Sequence, residues 1–156
     1  MSLLLPALVL RAAVESDLPF LLALRRHTME PHLRRDGMAV DEQAHLQRIR
    51  YHWDDARIVL IDDAPAGLLK VHHDEQGWYV IQIQVVPSRQ GQGLGSRLLG
   101  SVLQRADDGG QQVRLYVIRS NPARRLYERL GFRICERGEH VFLMCRPPGT
   151  GPVIAG

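Results

Sequence analysis

The segment Val85-Val86-Pro87-Ser88-Arg89-Gln90-Gly91-Gln92-Gly93-Leu94-Gly95-Ser96 constrains this chain more than any other. It follows an extended run, Trp78 to Val86, and precedes Leu98, Leu99, Val102, Leu103 and Ala106 at helical spacing, so its glycines sit in a strand-to-helix turn. In that context successive backbone N–H groups form a concave anion site, and the helix dipole adds partial positive charge. The missing Cβ atoms let a phosphate approach the main chain. A phosphate-bearing ligand is the natural occupant. The dinucleotide fingerprint does not fit, because the third glycine comes one residue early. The P-loop does not fit either, because the single lysine, Lys70, lies in an extended run.

Around this turn the pattern predicts a first strand at Ala7 to Arg11 and a helix capped by Ser16 or Asp17, with Phe20, Leu21 and Leu24 on one face. That helix is expected to fade near Met29 into a loop from Glu30 to Val40, before a second helix after Asp41 carrying Leu46, Ile49 and Trp53. Arg57 to Ile61, Ala66 to His73 and Trp78 to Val86 read as an antiparallel meander joined by short polar connections, which Pro87 closes. The helix after the glycines ends at Gly109-Gly110, and Val113 to Ile118 is another strand. Asn121 and Pro122 open a short helix through Leu126, Tyr127 and Leu130 that Gly131 stops. Phe132 to Arg137 and Val141 to Arg146 form a closing hairpin. The expected fold class is α+β (mixed α/β): one domain, residues 1–146, with a mostly antiparallel sheet of about seven strands flanked by about four helices. Residues 147–156 are expected to form a frayed tail.

A length of 156 residues suits one domain, and 45% apolar with 24% charged residues excludes global disorder. The net charge of +3 is compatible with an anionic ligand. Nucleic acid is not expected as a partner, since Arg25-Arg26, Arg34-Arg35 and Arg124-Arg125 alternate with Asp54-Asp55, Asp62-Asp63 and Asp107-Asp108. Cys135 and Cys145 show no metal spacing. A regular final hairpin offsets them beyond the roughly 7 Å limit for bridging, so both are expected to be reduced. The run Leu3 to Leu10 is broken by Pro6 and too short for a membrane anchor, which leaves the cytoplasm as the expected location.

Gln90-Gly91-Gln92-Gly93-Leu94-Gly95 reads as Q-x-x-G-x-G and resembles the acetyl-CoA pyrophosphate loop of the GNAT superfamily of N-acetyltransferases. The segment from Asn121 to Phe132 is similar to that family's N-x-x-A-x-x-x-Y-x-x-x-G-F pattern, although Arg124 and Arg125 stand where a small residue is frequent. The resemblance covers nearly the whole chain except the tail. It implies acetyl-CoA as co-substrate, no metal, and an amine acceptor, either a small molecule or a peptide. It further implies cofactor contacts from Val85, from Gln90, Gly91, Gln92, Gly93, Leu94, Gly95 and Ser96, and from Asn121, with the pantetheine arm along the strand that ends at Val85. A homodimer is left open.

For the departing thiolate the resemblance offers Tyr127 as general acid, whereas helical spacing alone reads it as core. Asn121 serves equally as a helix cap. The strand Trp78 to Val85 contains no carboxylate, and Gln82 and Gln84 cannot take a proton. The base is therefore left among His72, His73, Glu75, His27, Glu30, His32 and water. Acceptor contacts are expected from His27 to Met38, with Glu30 and Asp36 drawing a cationic amine. A non-catalytic acyl-CoA binding or sensing module is the alternative function.

Overall fold

Branched and aromatic residues favour the pleated ladder, and the meander forms as β2 (Ala56–Ile61), β3 (Ala64–Asp74) and β4 (Gly77–Val85), antiparallel throughout. Asp62 and Asp63 take left-handed φ values of 50° and 66° in the tight turn between the first two, a conformation that short polar side chains tolerate. The computed structural model describes residues 7–149. It adds β1 (Leu8–Ala12), α1 (Leu18–Arg35), α2 (Glu42–Arg50), α3 (Leu94–Asp108), β5 (Val113–Ile118), α4 (Arg124–Arg129), β6 (Arg133–Arg137) and β7 (Val141–Arg146). The strands form one sheet in the order β1-β2-β3-β4-β5-β7-β6, antiparallel except where β4 meets β5. The α+β class read from the sequence is the one observed.

Helix α3 buries Leu99, Val102, Leu103 and Ala106 against Trp78, Val80, Val113, Leu115 and Met144 on one face of the sheet. On the other face α1 and α2 pack Leu21, Leu24 and Ile49 over Ala56, Ile58 and Leu68. Arg146, 1% exposed, ties the layers together. Its guanidinium forks onto Asp107 at 2.9 and 3.1 Å, and its Nε donates to the Leu130 carbonyl at 2.8 Å. None of the helices among the described residues is long and apolar enough to cross a membrane.

Three expectations need correction. The second helix does not carry Trp53: α2 ends at Arg50, and Trp53 follows in a separate 3-10 turn. Helix α1 does not fade near Met29 but continues through Pro31 to Arg35, because Leu33 at 3% exposure is drawn into the core and tertiary burial overrides the local proline signal. Cys135 and Cys145 are disulfide-bonded, with Cα atoms 6.2 Å apart. The final hairpin is not regular. The register between β6 and β7 shifts between Ile134 and Glu136, so Cys145 pairs with Arg133 and the bulged Cys135 lies diagonally across from it, a smaller offset than a regular hairpin gives. Of the expected tail, the Gly149 N–H donates to Asp107 at 3.1 Å, and residues 150–156 lie outside the described residues, as does Leu3 to Pro6 of the N-terminal run.

Candidate active site

β4 and β5 are the parallel neighbours of the sheet, yet their pairing covers only Trp78 with Val113, Tyr79 with Arg114 and Val80 with Leu115. Beyond Val80 they diverge. Their C-terminal halves line opposite walls of a 590 Å³ cavity, Ile81 to Gln84 on one side and Tyr116 to Ile118 on the other, with α1 and α2 closing it. A second cavity of 350 Å³ lies between the glycine turn and α4. Ile83 and Tyr127 line both, so the two chambers meet there.

A bulge decides what each chamber sees. Lys70 pairs with Gln82 but Val71 with Val80, which leaves Ile81 as the extra residue in β4. Side chains alternate along a strand, so an uninterrupted β4 would put Gln82 on the face of Trp78 and Val80, against α3. The extra residue reverses the alternation. Gln82 and Gln84 face the larger chamber, while Ile83 and Val85 line the smaller one.

The backbone of β4 is prepared as well. The Val86 N–H bonds to the Ala66 carbonyl at 2.9 Å, and antiparallel alternation then turns the N–H groups of Ile83 and Val85 away from β3, toward the gap. The Gln90 amide donates to the Val85 carbonyl at 3.0 Å and fixes the turn to the strand end. Gly91 and Gly93 hold φ values of 79° and 77°, which favour glycine. Gly93 is the N-cap of α3, whose first internal bond runs from Arg97 to its carbonyl. Among the described residues no acceptor is bonded to the N–H groups from Gly91 to Ser96, and the second chamber opens onto this run. It is an anion cradle at a helix start.

Tyr127, on α4, meets the Phe132 ring edge-on at 5.8 Å, and burial pushes its phenol above the ordinary value. Its hydroxyl has no hydrogen-bond partner among the described residues. The Asn121 side-chain oxygen accepts from the Ala123 N–H at 2.9 Å, so Asn121 caps the turn that leads into α4 and also lines the larger chamber.

The base candidates are elsewhere. His27, Glu30, His32, His72, His73 and Glu75 line neither chamber. Glu30 is ion-paired with Arg34 and accepts from His45. His72 bonds Asp55 at 2.9 Å, and His73 stacks on Trp78 at 3.9 Å. Asp36 is turned toward the Ser120 N–H. Among the described residues His52, Asp55 and His72 have ligand-type atoms within 4.8 Å of one another, and hydrogen bonds to Asp55 account for this cluster.

The residues that sequence reasoning missed are the walls of the larger chamber. Arg25, 6% exposed, donates from Nε to His45 Nδ1 at 3.1 Å, and the other nitrogen of His45 faces Glu30 at 3.3 Å. Arg48 stacks over the Tyr51 ring at 4.7 Å. Burial, then the nearby Tyr51 hydroxyl, push Tyr79 up to about 12. Lys70, fully buried, donates to the carbonyls of Arg48, Ile49 and Tyr51 at 3.2, 2.8 and 2.6 Å, fixing the end of α2 beside the chamber. No spacing signal could have singled out Arg25, because one arginine of an Arg-Arg pair on a helix reads as surface.

A family model described as the acetyltransferase (GNAT) family matches residues 21–132. Solved structures of the same fold include the PaiA N-acetyltransferase of Thermoplasma acidophilum in complex with coenzyme A. It is 17% identical with a TM-score of 0.68, over 90% of this chain and 99% of that one. An acetyltransferase from Thermus thermophilus is 21% identical with a TM-score of 0.68, over 90% and 96% of the two chains. Naa50 of Arabidopsis thaliana, in complex with the bisubstrate analogue CoA-Ac-MVNAL, is 17% identical with a TM-score of 0.59, over 89% and 97%. No curated protein matches the sequence.

Proposed function

Because the chain belongs to the acetyltransferase (GNAT) family, we propose that it is an N-acetyltransferase that moves an acetyl group from acetyl-CoA directly to an amine. The observation that carries this reading is the run of unbonded N–H groups from Gly91 to Ser96, opening on a chamber that meets the larger one at Tyr127. The run suits a pyrophosphate, and the gap beside Ile83 and Val85 suits an extended arm that pairs with β4 as an added strand. Coenzyme A fits both.

The thioester supplies an activated acyl carbon, and the N–C bond forms as the C–S bond breaks, giving an acetamide and the free thiol. In this reading the Val85 N–H binds the acyl oxygen as charge develops on it, and the Tyr127 hydroxyl gives its proton to the sulfur. The tyrosine regains a proton from water, and the amine releases one to water, since neither chamber is lined by a histidine or carboxylate. The residues from Gln90 to Ser96 hold the pyrophosphate, and Asn121, on the wall of the larger chamber, contacts the cofactor where the two chambers meet. The cytoplasm, where such thioesters circulate, is the compartment that goes with this activity.

The test has two arms. Isothermal titration with coenzyme A should show binding to the parent and at least a roughly tenfold loss in Gly93→Val, whose side chain would occupy the phosphate approach and must adopt φ near 77°. Unchanged affinity in a folded variant removes the loop from the site. Release of free thiol with a panel of amines then separates an enzyme from a binding module: coenzyme A bound without turnover of any amine would leave only binding.

A further inference from the structure

We propose that the acceptor is an amine carrying a carboxylate on an apolar body, with the carboxylate seated between the guanidinium groups of Arg25 and Arg48. This rests on the acetyl-transfer reading and names its substrate class. The larger chamber is lined by two arginines and by no aspartate or glutamate. Among the described residues neither arginine is ion-paired with a carboxylate. Arg25 is 6% exposed, and only its Nε has a partner, the imidazole of His45. Because an arginine N–H always donates, His45 accepts at Nδ1 and turns its other nitrogen toward Glu30. The nearest carboxylate on that side is thus one imidazole removed, and the terminal nitrogens of Arg25 are left to the chamber.

A guanidinium taken out of water without a counter-charge is costly, and its planar fork matches a carboxylate in two parallel hydrogen bonds. Burial chiefly, and then the charge of Arg48, hold Arg25 down to about 10, which is what two cations facing one space should do. The rest of the chamber fits the rest of the molecule. Met29, Leu33, Met38 and Ile81 supply apolar walls. Gln82, 8% exposed, lies in the chamber wall with its side-chain amide bonded to nothing among the described residues. A cationic amine without an anion meets two like charges here, so the expected draw of Glu30 and Asp36 on such an amine is not supported by this geometry.

The experiment compares matched acceptors on the whole protein. L-leucine, L-methionine and L-phenylalanine are each set against their carboxamides, which stand for a peptide N-terminus, and L-leucine also against 3-methylbutylamine and the phosphonate analogue of leucine. Thiol release should give a kcat/KM at least about tenfold higher for one or more of the amino acids than for its carboxamide, the worth of a charge-assisted pair. Arg48→Gln, at an exposed position, and Arg25→Gln should each remove that advantage; should Arg25→Gln fail to fold, Arg48→Gln still decides.

Titration of N-acetyl-leucine, N-acetyl-methionine and N-acetyl-phenylalanine against their carboxamides, with coenzyme A present, reads the same preference without turnover. A preference in titration with no acetyl transfer to any amine would refute the transferase reading and keep the anion pocket. Amines turned over with no preference in any of the three pairs would keep the transferase and overturn the pocket. A phosphonate favoured about tenfold over leucine would overturn the carboxylate in favour of a phosphate.

Discussion

A phenol whose ionisation is pushed up by burial stays protonated at neutral pH, and Tyr127 is such a group at the meeting point of two chambers. Tyr127→Phe removes one oxygen and keeps the ring against Phe132, so it should lower the single-turnover transfer rate by about 10² to 10⁴ with coenzyme A affinity nearly unchanged. A Phe variant as fast as the parent makes Tyr127 a packing residue and gives the proton role to water. The pH profile follows from the direction of the shift: a raised folded value means the proton is lost only above the ordinary phenol range, so Tyr127 should impose no fall in rate below pH about 10. A decline between about pH 8 and 9 that the Phe variant lacks would contradict this. Tyr127 was legible in the sequence because its motif fixes it between Asn121 and Gly131. Arg25 was not, because burial of a charge is decided by what packs over it, here α2 and its His45, and nothing local to Arg25 records that.

At the scale of elements, the clasp of Arg146 on Asp107 joins the last strand to the end of α3. Asp107→Asn should destabilise the protein by about 3 kcal/mol in urea unfolding at neutral pH, since it leaves a buried guanidinium without its counter-charge. The hydrogen bond from Arg146 holds the Asp107 carboxyl below its ordinary value. A lowered folded value means the contribution is present above pH about 4 and is lost as pH falls through the folded value. Parent and variant should therefore converge in strongly acidic solution; a gap that persists there would point to packing instead. Strand and helix order was legible throughout, since short polar turns and period-2 runs mark the meander plainly. The bulges at Ile81 and Cys135 were not. Their cause lies across the sheet, where Lys70 must reach the end of α2, and in the register of β6 on β7, and a strand read alone carries neither partner.

For the whole molecule, the Cys135–Cys145 bond clips together the two strands at one outer end of the sheet. Intact mass after alkylation in denaturant without reductant should show neither thiol modified. Reduction should cost about 3 kcal/mol on the chain-entropy account of a loop this short. Two modified thiols would mean the bond does not form in solution. A second global prediction concerns the parting of β4 from β5: by amide hydrogen exchange, Ile83 and Val85 should exchange readily in the free protein and become protected on adding coenzyme A. Equal exchange in both states would exclude strand addition. That parting gives the sheet a third border, folded into its own middle. An ordinary border recruits any extended chain that drifts past, and proteins guard theirs against aggregation. This one is walled by α1 on one face and α3 on the other, and on the proposed reading its occupant is a slender thioester arm. The molecule can keep a permanently unpaired strand without the hazard of gluing itself to its neighbours.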